Sequence, residues 1–175
     1  IDVSGSMEDS TKLPLLKASL NYLLGLFRPT DQIAIVTYSD KATIVLPPTR
    51  ANKMDTIKHV VEALQAKGKS LGGDGLEEAY NLAKQYYVTK GNNRIILATD
   101  GIFSSVDLEE KRMLKLIKKG REDDIMLSVL AFGRERSSIR ERLEKMTQAG
   151  GGHLGFISSI DQGKEILLRE AQAIK

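Results

Sequence analysis

Asn93-Arg94-Ile95-Ile96-Leu97-Ala98-Thr99-Asp100-Gly101 reads as a strand that ends in a polar turn. Its apolar run, Ile95–Ala98, leaves no polar face, the mark of a strand covered on both sides. Ile125–Phe132 has the same character, and so does Gln32–Tyr38 with Ile33, Ile35 and Val36. Around these strands the apolar residues fall at three- and four-residue spacing, which predicts helices. They cover Lys12–Phe27, Asn52–Ala66, Leu76–Tyr87, Leu108–Lys119, Ser137–Gln148 and Asp161–Lys175. Ala42–Leu46 is a hairpin partner of Gln32–Tyr38 closed by Pro47-Pro48, and His153–Ile157 is a short last strand. The alternation predicts an α/β fold: a doubly wound, mostly parallel sheet with one short antiparallel edge strand and helices on both faces. Residues 1–175 read as a single domain, with no internal repeat, low-complexity tract or linker.

Composition narrows the chemistry. The chain has no cysteine, which excludes disulfides, thiolate metal sites and cysteine nucleophiles. The presence of only two histidines, His59 and His153, argues against a multi-histidine zinc or iron centre as well, which leaves oxygen as the expected metal ligand. The net charge of +3 (26 Lys and Arg against 23 Asp and Glu) is far from that of a nucleic-acid binder. No apolar run approaches the length of a membrane span.

In an open α/β sheet, ligands bind where the loops leave the carboxyl ends of the strands. Those loops hold Asp2-Val3-Ser4-Gly5-Ser6, the glycine-rich Gly68–Gly75, Thr99-Asp100-Gly101 and Gly133. Alternate residues at a strand end point the same way, so Asp2, Ser4 and Ser6 can converge. Carboxylates and hydroxyls are hard ligands, suited to Mg²⁺, Mn²⁺ or Ca²⁺. The same three residues also fit a helix cap ahead of Lys12, and alone they leave the two readings even.

Ile1-Asp2-Val3-Ser4-Gly5-Ser6-Met7, then Ala34–Tyr38, then Ile96-Leu97-Ala98-Thr99-Asp100-Gly101, resemble the von Willebrand factor A domain family of bacterial type. The resemblance covers nearly the whole chain in order and includes the metal-ion-dependent adhesion site motif. It implies a Rossmann-like fold and a divalent cation, usually Mg²⁺, completed by an Asp or Glu from a protein partner. Carried over to this sequence, the metal residues are Asp2, Ser4, Ser6 and Asp100, with Ser70 in the place of the family's second-loop threonine. A rival alignment puts Asp74 there and makes the site more anionic. The family's first strand is central, yet almost no residues precede Asp2. The expectation is a domain of a larger protein whose first strand lies upstream, placed in the cell envelope, the periplasm or outside the cell.

The reading that follows is a metal-dependent adhesion or scaffold module, not an enzyme, with loops 102–106 and 133–137 setting specificity. Two alternatives stand beside it. One is a nucleotide-binding hydrolase, because Ala63–Ser70 ends in Gly68-Lys69-Ser70 like a phosphate-binding loop; that motif, however, lacks its first glycine and does not follow a strand. The other is a structural domain whose metal site is empty. No Gly-x-Ser-x-Gly elbow exists to activate a serine. The paired acids Glu109-Glu110 and Asp123-Asp124 read as solvated.

Overall fold

The structure, a computed structural model, describes residues 1–103 and 106–173. Ser104 and Ser105, in the loop expected to shape specificity, and the last two residues of the expected final helix lie outside the described residues. The strands are β1 (Gln32–Tyr38), β2 (Ala42–Arg50), β3 (Asn93–Thr99), β4 (Ile125–Phe132) and β5 (Gly151–Ile157). The helices are α1 (Leu13–Leu24), α2 (Met54–Glu62), α3 (Gly72–Gln85), α4 (Val106–Glu122), α5 (Ser137–Gly150) and α6 (Ile160–Ala173). The doubly wound α/β architecture expected from the alternation is the one observed.

β3, β4 and β5 pair in parallel, and β1 pairs antiparallel with β2. Ile1–Val3 join these two sheets. Asp2 N donates to Ala98 O of β3 (2.8 Å), while Val3 N donates to Tyr38 O of β1 (3.0 Å) and Tyr38 N to Ile1 O (3.0 Å). The three residues therefore lie between β1 and β3, bonded to both. Beyond Ile1 the facing edges of β1 and β3 border a cavity of about 300 Å³ lined by Ile33, Ile35, Leu76, Ile95 and Leu97.

Strand parity explains the layers. Leu127, Val129 and Ala131 of β4, with Leu97 of β3, pack against α3, α4 and α5 through Leu76, Met113, Ile117 and Leu143. Leu130 and Phe132 of β4, with Ala98, face the other way onto Leu16 of α1 and Leu167 of α6. α2 places Ile57 and Val61 against Ile35 and Leu46 of the hairpin. Among the described residues no helix is long and apolar enough to cross a membrane.

The structure corrects several boundaries. β2 does not stop at Pro47-Pro48. Ile35 pairs with Leu46 and Ile33 with Thr49, so the two prolines bulge out opposite Ala34, where a missing N–H costs no ladder bond. α2 ends at Glu62, leaving 63–71 as loop, and α3 begins within the expected glycine loop, at Gly72. Tertiary packing overrides glycine's poor helix propensity there, because any side chain at Gly75 would run into the Tyr38 ring. Glu109 is not solvated: it is buried and accepts a hydrogen bond from Gly73 N (2.7 Å) in the first turn of α3. His59 is exposed, and His153 Nδ1 lies 3.0 Å from the buried Glu170 carboxylate.

Tyr80 locks α3 against α4. Its ring lies on Gly120, where an added methyl would overlap it, and its buried hydroxyl has no hydrogen-bond partner among the described residues. Gly120→Ala is expected to cost about 1–3 kcal/mol in urea unfolding. Burial also pushes the Tyr80 phenol above its ordinary value. The folded chain then keeps this proton while the unfolded chain loses it above about pH 10, so stability falls as pH rises further, by about 1.4 kcal/mol per pH unit. Tyr80→Phe should match the parent near neutral pH and lose less stability between about pH 9 and about pH 11.

Candidate metal centre

Asp2 is fully buried at the joint between the sheets. Its Oδ1 accepts from Ser4 N (3.0 Å) and Ser4 Oγ (2.7 Å), and its Oδ2 from Thr99 Oγ1 (2.9 Å). Ser4 Oγ lies 3.1 Å from Ser6 Oγ, which brings the three first-loop residues together. The convergence does not come from strand pleat, since Gly5–Glu8 is a 3-10 turn. The Asp2 carboxylate itself bends the chain by holding the Ser4 amide, a turn that aspartate favours. Ser4 is buried and Ser6 exposed, so the group opens to solvent on one side.

The second loop is strapped to the first. Lys67 N donates to Val3 O (2.7 Å), Gly5 N to Gly68 O (2.9 Å), Lys69 N to Asp40 Oδ1 (2.9 Å) and Leu71 N to Ser39 O (3.1 Å). Gly68 has φ +83°, and a side chain there would strike the Asp40 carboxylate. Ser70, the expected second-loop ligand, is buried within this strapping. Asp74 is turned elsewhere: it sits half-exposed in α3, paired with Arg112 at 2.6 Å. The amides of Lys67, Lys69, Leu71 and Gly73 already donate internally, so these four are not offered to a phosphate.

Asp100, just past β3, is also buried. Its Oδ1 accepts from Ile102 N (3.0 Å) and its Oδ2 from Lys12 Nζ (2.8 Å), which also donates to Ser6 O (2.8 Å). Lys12 thus pairs with Asp100, whereas Asp2 is held by hydroxyl and amide donors. Burial raises the Asp2 pKa, and the Asp100 charge adds to that, against the lowering effect of the Ser4 and Thr99 hydrogen bonds. Burial and the Asp2 charge push the Tyr38 phenol well up as well.

The structure thus links Asp2, Ser4 and Ser6 directly, places Asp100 within electrostatic reach of Asp2, and binds the Ser70 loop to Gly5. Among the described residues no three His, Cys, Asp or Glu side chains cluster, so any cation here would meet a set rich in hydroxyls. Hard oxygens around excess buried negative charge suit a small divalent cation. The sequence reading missed Lys12, Thr99 and Tyr38. Thr99 stood inside the quoted motif, whereas Lys12 carried no signal, because the turn that folds it back onto Asp100 is tertiary.

A family model described as the von Willebrand factor type A domain matches residues 1–102. The chain is 36% identical over 171 residues to the uncharacterized protein YfbK of Escherichia coli (strain K12), covering 97% of this chain and 29% of that protein. It is 28% identical to the human voltage-dependent calcium channel subunit alpha-2/delta-4, covering 94% of this chain and 15% of that one. The chain therefore spans less than a third of the length of these curated relatives. Among solved structures it is similar to a von Willebrand factor type A protein from Catenulispora acidiphila (TM-score 0.81, 20% identity, 97% of this chain and 40% of that one). An aerotolerance-related membrane protein from Bacteroides fragilis shares the fold as well (TM-score 0.77, 16% identity, 98% and 96%). Family match and architecture agree: the chain belongs to the von Willebrand factor type A domain family.

Proposed function

We propose that the chain is a metal-dependent protein-binding module with no catalysis of its own. The observation that carries this reading is the hydrogen-bonded joining of Asp2, Ser4 and Ser6 at the carboxyl end of the sheet, with the buried Asp100 within electrostatic reach and the Ser70 loop strapped to Gly5. Asp2, Ser4, Ser6, Ser70 and Asp100 would hold Mg²⁺, or Mn²⁺ or Ca²⁺. A cation held there supplies an electrophilic point to which a carboxylate of a protein partner can bind. The chain's own residues prepare that point. Thr99 and the Ser4 amide fix the Asp2 carboxylate, Lys12 balances Asp100, and Ser4 and Ser6 offer neutral oxygens that leave positive charge for the partner's acid. The nucleotide-hydrolase alternative finds little support in a loop where the Lys67, Lys69 and Leu71 amides donate to Val3, Asp40 and Ser39. A place in the cell envelope or outside the cell is compatible with the similarity to a bacterial membrane protein.

Wild-type protein should be stabilised by Mg²⁺, by about 2.7 kcal/mol when the ion is present at roughly 100 times its dissociation constant. Ser4→Ala combined with Asp100→Ala should abolish Mg²⁺ binding in titration calorimetry while circular dichroism stays native. Unchanged metal affinity in that double variant would refute the site.

Asp2→Asn removes a buried charge and keeps an acceptor for Ser4. It should leave the metal-free protein equally stable or up to about 1 kcal/mol more so, yet eliminate the Mg²⁺ response. The pH dependence follows from the raised Asp2 pKa. The folded state holds this proton more tightly than the unfolded chain does. Metal-free stability from this group is therefore present below about pH 4, its ordinary carboxylate range, and is lost as pH rises through the raised value. Cation binding needs the ionised form and runs the other way. The Mg²⁺-induced rise in melting temperature should grow from about pH 4 to about pH 7, and a response independent of pH would contradict it.

A further inference from the structure

Beside Asp100, a cleft of about 80 Å³ opens between the 133–136 turn and the start of α5. Phe132 and Ile139 line it as buried apolar groups, and Lys12, Arg134 and Arg136 are its cations. Its one carboxylate, Asp100, is already paired with Lys12 at 2.8 Å. Lys12 runs along Gly133, where an added side chain would lie 2.7 Å from Lys12 Cε, so the glycine keeps the lysine pressed into the wall. Arg134 and Arg136 are exposed, and neither belongs to any ion pair among the described residues. Glu135, the acid between them, is engaged by Arg140 instead. The turn therefore carries two unspent guanidinium groups next to the proposed cation.

We infer that this cleft receives a second carboxylate of the partner, so that the module recognises a segment with two acidic residues close together rather than a lone Asp or Glu. The inference rests on the carboxylate capture proposed above and adds its specificity. One acid of the segment reaches the metal. The next, one or two residues along, lies between Arg134 and Arg136, whose planar donors fit a carboxylate. In an extended ligand alternate side chains share a face about 6.6–7 Å apart, so a spacing of two places both acids on the side turned to the protein. The apolar wall excludes water from one flank of the second acid and strengthens its attraction to the arginines. The two guanidinium groups also steer an acidic segment towards the site and make capture sensitive to salt.

The test uses the chain loaded with Mg²⁺ and two capped peptides, Gly-Gly-Asp-Gly-Asp-Gly-Gly and its single-acid counterpart Gly-Gly-Asp-Gly-Asn-Gly-Gly, titrated by ¹H–¹⁵N NMR. Wild-type protein should bind the two-acid peptide about fivefold to tenfold more tightly, with the preference shrinking as salt is raised. Arg134→Ala with Arg136→Ala should erase the preference, while the single-acid peptide still binds in a Mg²⁺-dependent way and the Mg²⁺-induced stabilisation is kept. A preference that survives in this variant overturns the cleft and leaves carboxylate capture standing. Inorganic phosphate that removes the preference for the two-acid peptide at equal concentration, without displacing the single-acid peptide, overturns it too, since the arginines then form an anion site without peptide specificity. Absence of Mg²⁺-dependent binding of either peptide overturns the capture reading and the cleft with it.

Discussion

Burial of the Asp2 carboxylate is the constraint around which the rest of the domain is arranged. The residue lies where β1 and β3 are joined through Ile1–Val3, with no exposed surface, and a charge in that position must be matched by hydrogen bonds or by opposite charge. Thr99 and Ser4 supply the bonds, and in doing so they fix the end of β3 and the turn that follows Asp2. One carboxylate thereby ties the first loop to the end of β3, a segment distant in sequence.

The loops around it are held by backbone bonds rather than by bulky side chains. The 67–71 strap is bonded to residues 3–5 and 39–40, and Gly75 lets α3 lie directly on Tyr38. This close approach brings a second hydroxyl-bearing loop alongside the first. Electrostatics then separates the two ends of the site. The Asp2 end is short of positive charge, whereas Lys12, Arg134 and Arg136 make the far side of Asp100 cationic. A divalent ion suits the first and an acidic ligand the second.

Much of this was legible in the residues. Asn93–Thr99 and Ile125–Phe132 appear as strands with the expected bounds, because unbroken apolar runs have few other ways to be satisfied. The Asp2, Ser4 and Ser6 trio was legible as a spacing, although the 3-10 turn that unites it was not. The glycine segment misled the helix assignment, since propensity sees flexible residues at 72–75 while the fold uses them for contact with Phe103, Glu109 and Tyr38. Glu109 likewise looked solvated, as its partner Gly73 lies on another helix.

Local sequence, then, determined the element types, the alternation that makes an α/β layer, and the hard-oxygen character of the loops, because periodicity and residue chemistry act over a few neighbours. Tertiary structure alone decided that Ser70 lies in the loop bonded to Gly5 while Asp74 turns to Arg112, that Lys12 folds back onto Asp100, and that Arg134 and Arg136 line the same cleft as Asp100. Those outcomes depend on which side chains compete for each charge in three dimensions, and that competition takes place between residues separated by up to about half the chain.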